Sequence, residues 1–366
     1  MKIGIFTFHA SHNYGSMLQA FALQSVLHKM GHETWIINLR TKAQKHLIMP
    51  LLEWKHPKSS FMKLLIMPQI SIQLQHKYNR FEHFLKQKLH CTKEYSTREE
   101  VEKALQHEHW DAFIAGSDQI WNTNCIDFDT AYLLNFNLPG RKIAYAPSLG
   151  LYPEKIKEES KRLLANHLIN FDFLSTREER GASIIKEISG LNAQVVLDPT
   201  LLLKKNDYKS LYKHKPIIKT DYIFYYSPID QPEIFEKALL LSQITGLKIV
   251  TTQHQSYYKG RNIIHINNCG PCEFLNIINF AKYTIGKSFH LLAFSLIFEK
   301  EFFIVTGDTD SRIINLLEPL NLTNRAISIG QKEITIPATI DYTLIHQKLA
   351  LLRNSSIIYL KDALKK

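Results

Sequence analysis

The sequence predicts an α/β chain of two halves, each a parallel sheet with helical crossovers. Short apolar runs recur, and each ends in a polar cluster that opens a helical pattern. The series restarts after a polar, Lys-rich stretch at 204–219. A length of 366 residues suits about two domains of ordinary size.

The first element, residues 2–8 (KIGIFTF), is a strand. The loop 9–15 (HASHNYG) follows, then a helical pattern over 16–29 with Gly31 as terminator, then a second strand at 34–39. A strand, a helix and another strand in that order argue for parallel pairing. After an insert at 41–90, residues 112–115 (AFIA) end in Gly116-Ser117-Asp118. Residues 142–146 (KIAYA) end in Pro147-Ser148, and 154–169 is helical. Residues 173–176 (FLST) run into Arg177 and a helix to about 188, and 194–197 (QVVL) end at Asp198-Pro199.

The second half repeats the scheme. A strand at 222–226 precedes a helix at 232–245, with Pro232 at its start and Gly246 past its end. Strands at 248–252 and 262–266, a helix at 273–280 and a strand at 283–285 follow. A helix at 290–299, a strand at 301–305 and a helix from about 310 to 320 complete the unit. The expected domains are 1–213, which includes the insert, and 214–366.

Composition is that of a soluble globular enzyme, 45% apolar and 22% charged. Cys91, Cys125, Cys269 and Cys272 are too few and too scattered for a disulfide framework. The N-terminal strand lacks the apolar core of a signal peptide, and no apolar run is long enough to span a bilayer. A cytoplasmic location is expected. The net charge is +11, and residues 41–90 carry nine Lys/Arg against Glu53 and Glu82. Trp54, Phe61, Leu64 and Ile66 interleave them. Basic plus apolar suits contact with a membrane surface, or a solvated helical insert, better than a nucleic-acid face. No nucleic-acid partner is expected.

In open parallel sheets, ligands bind beyond the carboxyl ends of the strands. That rule selects His12, Asn13, Asp118, Ser148 and Arg177 in the first half. It selects Ser227, His254, Lys287, Ser288 and His290 in the second. Two such edges facing one another make a cleft. In GKSFH (286–290), Ser288 as a helix cap leaves first-turn N–H groups pointing outward, and Lys287 and His290 add charge. This reads as a phosphate or carboxylate site, or as an ordinary capped helix with a satisfied histidine. Arg177 is placed to grip an anion through two parallel bonds, or to pair with Glu178 or Glu179. His12-Asn13-Tyr14 suits hydroxyl-rich ligands, or forms a turn. Ser117, Asp118 and Trp121 offer a carboxylate and a stacking face for a sugar, or a cap with a core tryptophan. Cys269-Gly-Pro-Cys272 has redox spacing, but Gly270-Pro271 also serves as a plain helix entry. Dinucleotide, Walker, nucleophile-elbow and zincin motifs are absent, and a metal set at recognisable spacing is missing.

NYGSMLQAFAL, FIAGSDQIWN, STREE, LDPTLLL, GPCEFL and SFHLLAFSLIF together resemble the polysaccharide pyruvyl transferase family, over residues 3 to about 325. The resemblance implies a GT-B-like fold of two Rossmann-like domains facing a cleft. It implies transfer of the enolpyruvyl unit of phosphoenolpyruvate to a sugar, commonly as a pyruvate ketal on cell-surface polysaccharide. His290 and Arg177 match family residues that contact the donor. On this reading His290 is the general acid, Arg177 holds the donor carboxylate, and Lys287 with Ser288 hold its phosphate. Asp118 and His12 accept protons from sugar hydroxyls. Neither metal nor other cofactor is implied. Lipid-linked oligosaccharides at the inner membrane face are the expected acceptors, which gives the basic insert a role. Leu291-Leu292 replace the Gly-Thr usual after Ser-Phe-His, and a leucine fills space that glycine leaves to a ligand. Two alternatives share the architecture: a GT-B glycosyltransferase using a sugar nucleotide, and a non-catalytic glycan-binding relative. The Glu-x7-Glu pair of many such glycosyltransferases is missing between 260 and 310.

Overall fold

The computed structural model describes residues 1–48, 68–150, 155–253, 255, 257–258, 260, 262–307 and 310–365. The centre of the basic insert, with Trp54, Lys55, Lys58, Phe61 and Lys63, lies outside the described residues, as does His254.

The first unit holds β1 (Lys2–Phe6), β2 (Glu33–Ile36), β3 (Ala112–Ala115) and β4 (Arg141–Ala144) in the order β2-β1-β3-β4. Ile5 stands opposite Ile36 on one side and Ile114 on the other. A bridge from Ile143 to Phe173 leads on to the parallel pair β5 (Ser175–Thr176) and β6 (Gln194–Val195). The second unit holds β7 (Tyr222–Tyr225), β8 (Lys248–Thr251), β9 (Ile263–His265), β10 (Tyr283–Gly286), β11 (Glu301–Thr306) and β12 (Ala326–Ser328). Their order is β12-β11-β10-β7-β8-β9, and every pairing among the described strands is parallel. Both sheets are thus doubly wound. The order reverses between β1 and β3, and again between β7 and β10.

The parallel arrangement explains the sequence pattern. Strands covered on both faces read as continuous apolar runs, and AFIA and YIFY are buried at all four positions. Two crossover helices are buried nearly all round. Helix Tyr14–Lys29 has twelve buried residues, and helix Phe289–Ile297 is buried throughout. Each is the next helix after a strand at a reversal point.

The domain limits differ from the sequence expectation. The first unit comprises 1–48, 85–203 and 348–365; the second comprises 68–84 and 204–347. The Lys-rich stretch 204–219, which the sequence offers as a linker, belongs to the second unit throughout. Tyr208 is fully buried, edge-on to Phe294 at 5.3 Å. The C-terminal helix Tyr342–Ala363 returns to the first unit from Lys348 on. There Arg353 donates to the Leu201 carbonyl at 2.5 Å and Tyr359 to that of Ala144 at 2.7 Å. Part of the insert is the helix Pro68–Lys88, whose Arg80 donates to the Asn268 carbonyl at 2.8 Å. These long-range anchors leave no local signature. Among the described residues, no helix is long and apolar enough to cross a membrane.

Candidate active site

At the first reversal point, β1 and β3 release the two most distinctive motifs side by side. After β1, His12 takes a left-handed backbone (φ 51°), and Asn13 caps helix Tyr14–Lys29 by accepting from Gly15 N at 2.9 Å and Ser16 N at 3.3 Å. The first turn carries no acid, so the positive end of the helix is not neutralised from within. After β3, Gly116 has φ 135°, and a Cβ there would stand 1.9 Å from the Tyr145 carbonyl oxygen. Asp118 follows, also left-handed (φ 72°). Its Oδ1 accepts from Gln119 N at 2.8 Å, and its Oδ2 from Ser16 Oγ at 2.5 Å. Two non-glycine residues in this sparsely populated region, at adjacent strand ends, mark a place where the surroundings over-determine the backbone.

Behind this edge lies a buried polar network. Arg177 Nη1 is 3.0 Å from Asp198 Oδ2, and Nε is 3.9 Å from Glu178 Oε2. The side chain of Arg177 is 2% exposed, and both acids are wholly buried. Ser148 donates to Glu178 Oε1 at 2.8 Å. Ser117 Oγ is 2.8 Å from the Ala146 carbonyl and 3.2 Å from Asp198 Oδ2. The Ser117 N–H is held by Gln19 Oε1 at 3.2 Å, while Gln19 Nε2 donates to Thr7 Oγ1 and the Ser16 carbonyl, each at 2.8 Å.

Several expected ligand contacts are therefore internal. Trp121 is fully buried and donates from Nε1 to the Tyr132 carbonyl at 3.0 Å; it is a core residue, not a stacking face. Tyr14 is 2% exposed in the first turn of its helix, and Ser117 and Ser148 are fully buried. Arg177 meets a protein carboxylate where a ligand carboxylate was expected. In each case the side chain is buried within the unit. Ser16, Gln19 and Asp198 were overlooked as site residues although they stand in the quoted motifs. The signal for Gln19 was an amide in an apolar helical run, shared with Gln24; for Asp198 it was an acid before Pro.

At the second reversal point, Gly286 ends β10 with φ 151°, and a Cβ would stand 2.0 Å from the Tyr226 carbonyl oxygen at the end of β7. Ser288 caps helix Phe289–Ile297, accepting from Leu291 N at 3.3 Å. No acid occurs in the first turn. Lys287 is half-buried, and its Nζ lies 3.6 Å from where Gly307 would carry a Cβ, beyond β11. His290, at the second helical position, is 9% exposed and stands edge-on to Phe289 at 5.4 Å. Leu291 and Leu292 pack inward, 1% and 0% exposed. A cation, a titratable ring and an unneutralised helix N-terminus thus converge in one short segment, which is the chemistry of an anion site. Ser227, after β7, is internal; its N–H and carbonyl both bond to the Gln253 side chain, at 3.1 and 2.7 Å.

The CGPC segment is not a redox pair by environment. Cys269 is buried and its thiol is pushed up to about 12 by burial, the reverse of an activated thiolate. Neither cysteine is joined in a disulfide. Pro271 opens helix Pro271–Phe280 after Gly270, so the segment works as a helix entry. Among the described residues, no group of three or more potential metal ligands occurs.

Comparison with known proteins adds to this geometry. The family model for polysaccharide pyruvyl transferase matches residues 13–309. No curated protein matches the sequence. Among solved structures, the S. aureus MnaA–UDP complex aligns with a TM-score of 0.51 at 11% identity, covering 98% of this chain and 89% of that one. A putative UDP-N-acetylglucosamine 2-epimerase from Listeria monocytogenes gives 0.50 at 10%, covering 99% and 90%. The UDP-GlcNAc 2-epimerase of Methanocaldococcus jannaschii gives 0.50 at 13%, covering 97% and 93%. These likenesses concern the fold: α/β, GT-B-like, with parallel sheets in both units.

Proposed function

The chain belongs to the polysaccharide pyruvyl transferase family, and from that premise we propose that it moves pyruvate from phosphoenolpyruvate onto a sugar of a cell-surface polysaccharide or its lipid-linked precursor. One observation carries the donor assignment. Helix Phe289–Ile297 starts at the β7/β10 reversal, is capped by Ser288, has no first-turn acid, and brings Lys287 and His290 to its N-terminus. Phosphoenolpyruvate is a small, highly charged anion, and such a terminus favours one.

In this reading Lys287 and the first-turn amides hold the phosphate. His290 gives a proton to the methylene carbon of the donor. The adjacent carbon becomes cationic, and a sugar hydroxyl adds to it with loss of its proton. A second hydroxyl displaces phosphate and closes the ketal. Asp118, fixed by Ser16 and Gln119, accepts a hydroxyl proton on the acceptor side, with His12 and Asn13 in the loop after the adjacent strand β1. The chemistry calls for neither metal nor nicotinamide.

The test combines binding and turnover. Phosphoenolpyruvate raises the melting temperature, and nucleotide sugars do not. With a lipid-linked glycan present, phosphate is released and the glycan gains one pyruvate less a water. Stabilisation by a nucleotide sugar, with none by phosphoenolpyruvate, would transfer the assignment to glycosyl transfer.

A further inference from the structure

A cavity of about 30 Å³ lies beyond the carboxyl ends of β1 and β2, walled by the loop after β1, by helix Lys42–Leu47 and by Asp127 and Tyr132. All of these belong to the first unit. One water needs about 10–15 Å³ of such room, so about two water-sized groups fit and a sugar ring does not.

The walls are fixed by Gln44. Its Oε1 accepts from Thr41 N at 2.9 Å, and its Nε2 donates to the Tyr132 hydroxyl at 2.9 Å and to the Asp127 carbonyl at 3.3 Å. Tyr132 stands edge-on to Phe8 at 5.1 Å. Phe8 and Leu39, both buried, supply apolar surface to the cavity. Ser11 and Asp127 supply polar groups. The Ser11 hydroxyl is buried and, among the described residues, has no hydrogen-bond partner. The Asp127 carboxyl is pushed up by burial and then by the charge of Asp118, which therefore lies within Coulombic reach. An N–H arriving at Asp127 would offset that burial.

Short arms of a sugar can be weighed against this lining. A hydroxymethyl arm can pair with Ser11 and Asp127 but leaves Phe8 and Leu39 facing a void. A carboxylate meets Asp127 and the field of Asp118. An ammonium suits Asp127 but leaves the Ser11 proton without an acceptor. An acetamido arm meets every demand. Its carbonyl accepts from Ser11, its N–H donates to Asp127, and its methyl covers the apolar surface. Carbonyl and methyl are the two groups that the volume admits.

We propose that this cavity receives the acetamido arm of the acceptor, which makes the acceptor an N-acetylated amino sugar. Calling that sugar an acceptor rests on the pyruvyl transfer reading; the preference for an acetamido group does not.

The test begins with binding to the full chain in the absence of donor. The probes are methyl glycosides in three pairs: N-acetylglucosamine with glucose, N-acetylgalactosamine with galactose, and N-acetylmannosamine with mannose. Methyl glucuronide is added as the anionic arm. In at least one pair the N-acetyl member binds about ten-fold more tightly or better, read by saturation-transfer NMR titration, and its acetyl methyl is the most saturated group. Ser11→Leu, which fills the cavity, abolishes that preference. Should Ser11→Leu fail to fold, Ser11→Ala carries the comparison, with the preference reduced about five-fold or more. No preference in any pair, no binding of any glycoside, tighter binding of the glucuronide, or a preference that survives the substitution overturns the inference. Turnover separates the two readings. If the N-acetyl preference holds but no phosphate is released from phosphoenolpyruvate with any glycan, the transferase reading falls and the cavity assignment stands. If pyruvate moves as fast onto a glycan without an N-acetylated sugar as onto one with it, the transferase reading stands and the cavity assignment falls.

Discussion

The carbonyl oxygen of Tyr226 lies 2.0 Å from where Gly286 would carry a Cβ. The same relationship recurs in the other unit, where the Tyr145 carbonyl stands 1.9 Å from the missing Cβ of Gly116. In both units a glycine at a sheet-reversal strand end lets the chain pass against a neighbouring backbone. Two residues later comes the side chain that fixes the next turn, Ser288 in one unit and Asp118 in the other.

Gly286→Ala is accordingly expected to cost about 3 kcal/mol or more, since it combines a backbone clash with φ 151°. Urea unfolding measures this. Gly190→Ala is the control: its φ is 73°, but a Cβ there meets nothing within 4 Å, so it should cost about 1 kcal/mol. Equal costs would mean that the close approach does not matter.

His290→Ala should reduce phosphate release about 10²-fold or more while leaving the fold intact. Lys287→Met should mainly weaken stabilisation by phosphoenolpyruvate, read as a smaller rise in melting temperature at fixed ligand. Unchanged stabilisation in both variants would remove the second unit's helix N-terminus as the donor site.

Trp121→Phe should leave the acceptor KM unchanged and cost about 1 kcal/mol, from the lost bond to the Tyr132 carbonyl. A sugar-stacking tryptophan would behave oppositely, raising KM with little loss of stability.

Cys269→Ala should leave activity unchanged and alter the alkaline limb of stability. The unfolded thiol titrates at its ordinary value of 9.0 and the folded one at about 12. Between those values the folded chain holds more protons than the unfolded chain, so stability falls as pH rises, by up to about 1.4 kcal/mol per pH unit for this group. The parent should therefore lose stability from pH 9 to 10 faster than the variant. Parallel curves would refute the assignment. In native protein at pH 8, the Cys269 thiol should also resist alkylation.

The strand series, helix 232–245 and the cap at Ser288 were legible because they follow local rules. Apolar runs bounded by polar turns make buried parallel strands, and Pro and Gly punctuate helices. Pro232–Thr245 and its Gly246 cap agree with expectation to the residue. The fate of Trp121, Tyr14, Ser117, Ser148 and Arg177 was not legible. A strand end says where a residue is; it does not say whether its side chain turns outward or inward.

The sequence by itself determined a doubly wound α/β chain, its family motifs and the places where chemistry is possible, since these depend on periodicity and neighbours a few residues apart. Only the tertiary structure decided that Arg177 answers to Asp198, that Asp118 is held by Ser16 across 102 positions, and that the C-terminal helix returns to the first unit. Such choices are made by long-range polar pairing. A buried donor or charge takes whichever partner the packed fold brings within about 3 Å, and nothing local encodes which one that will be.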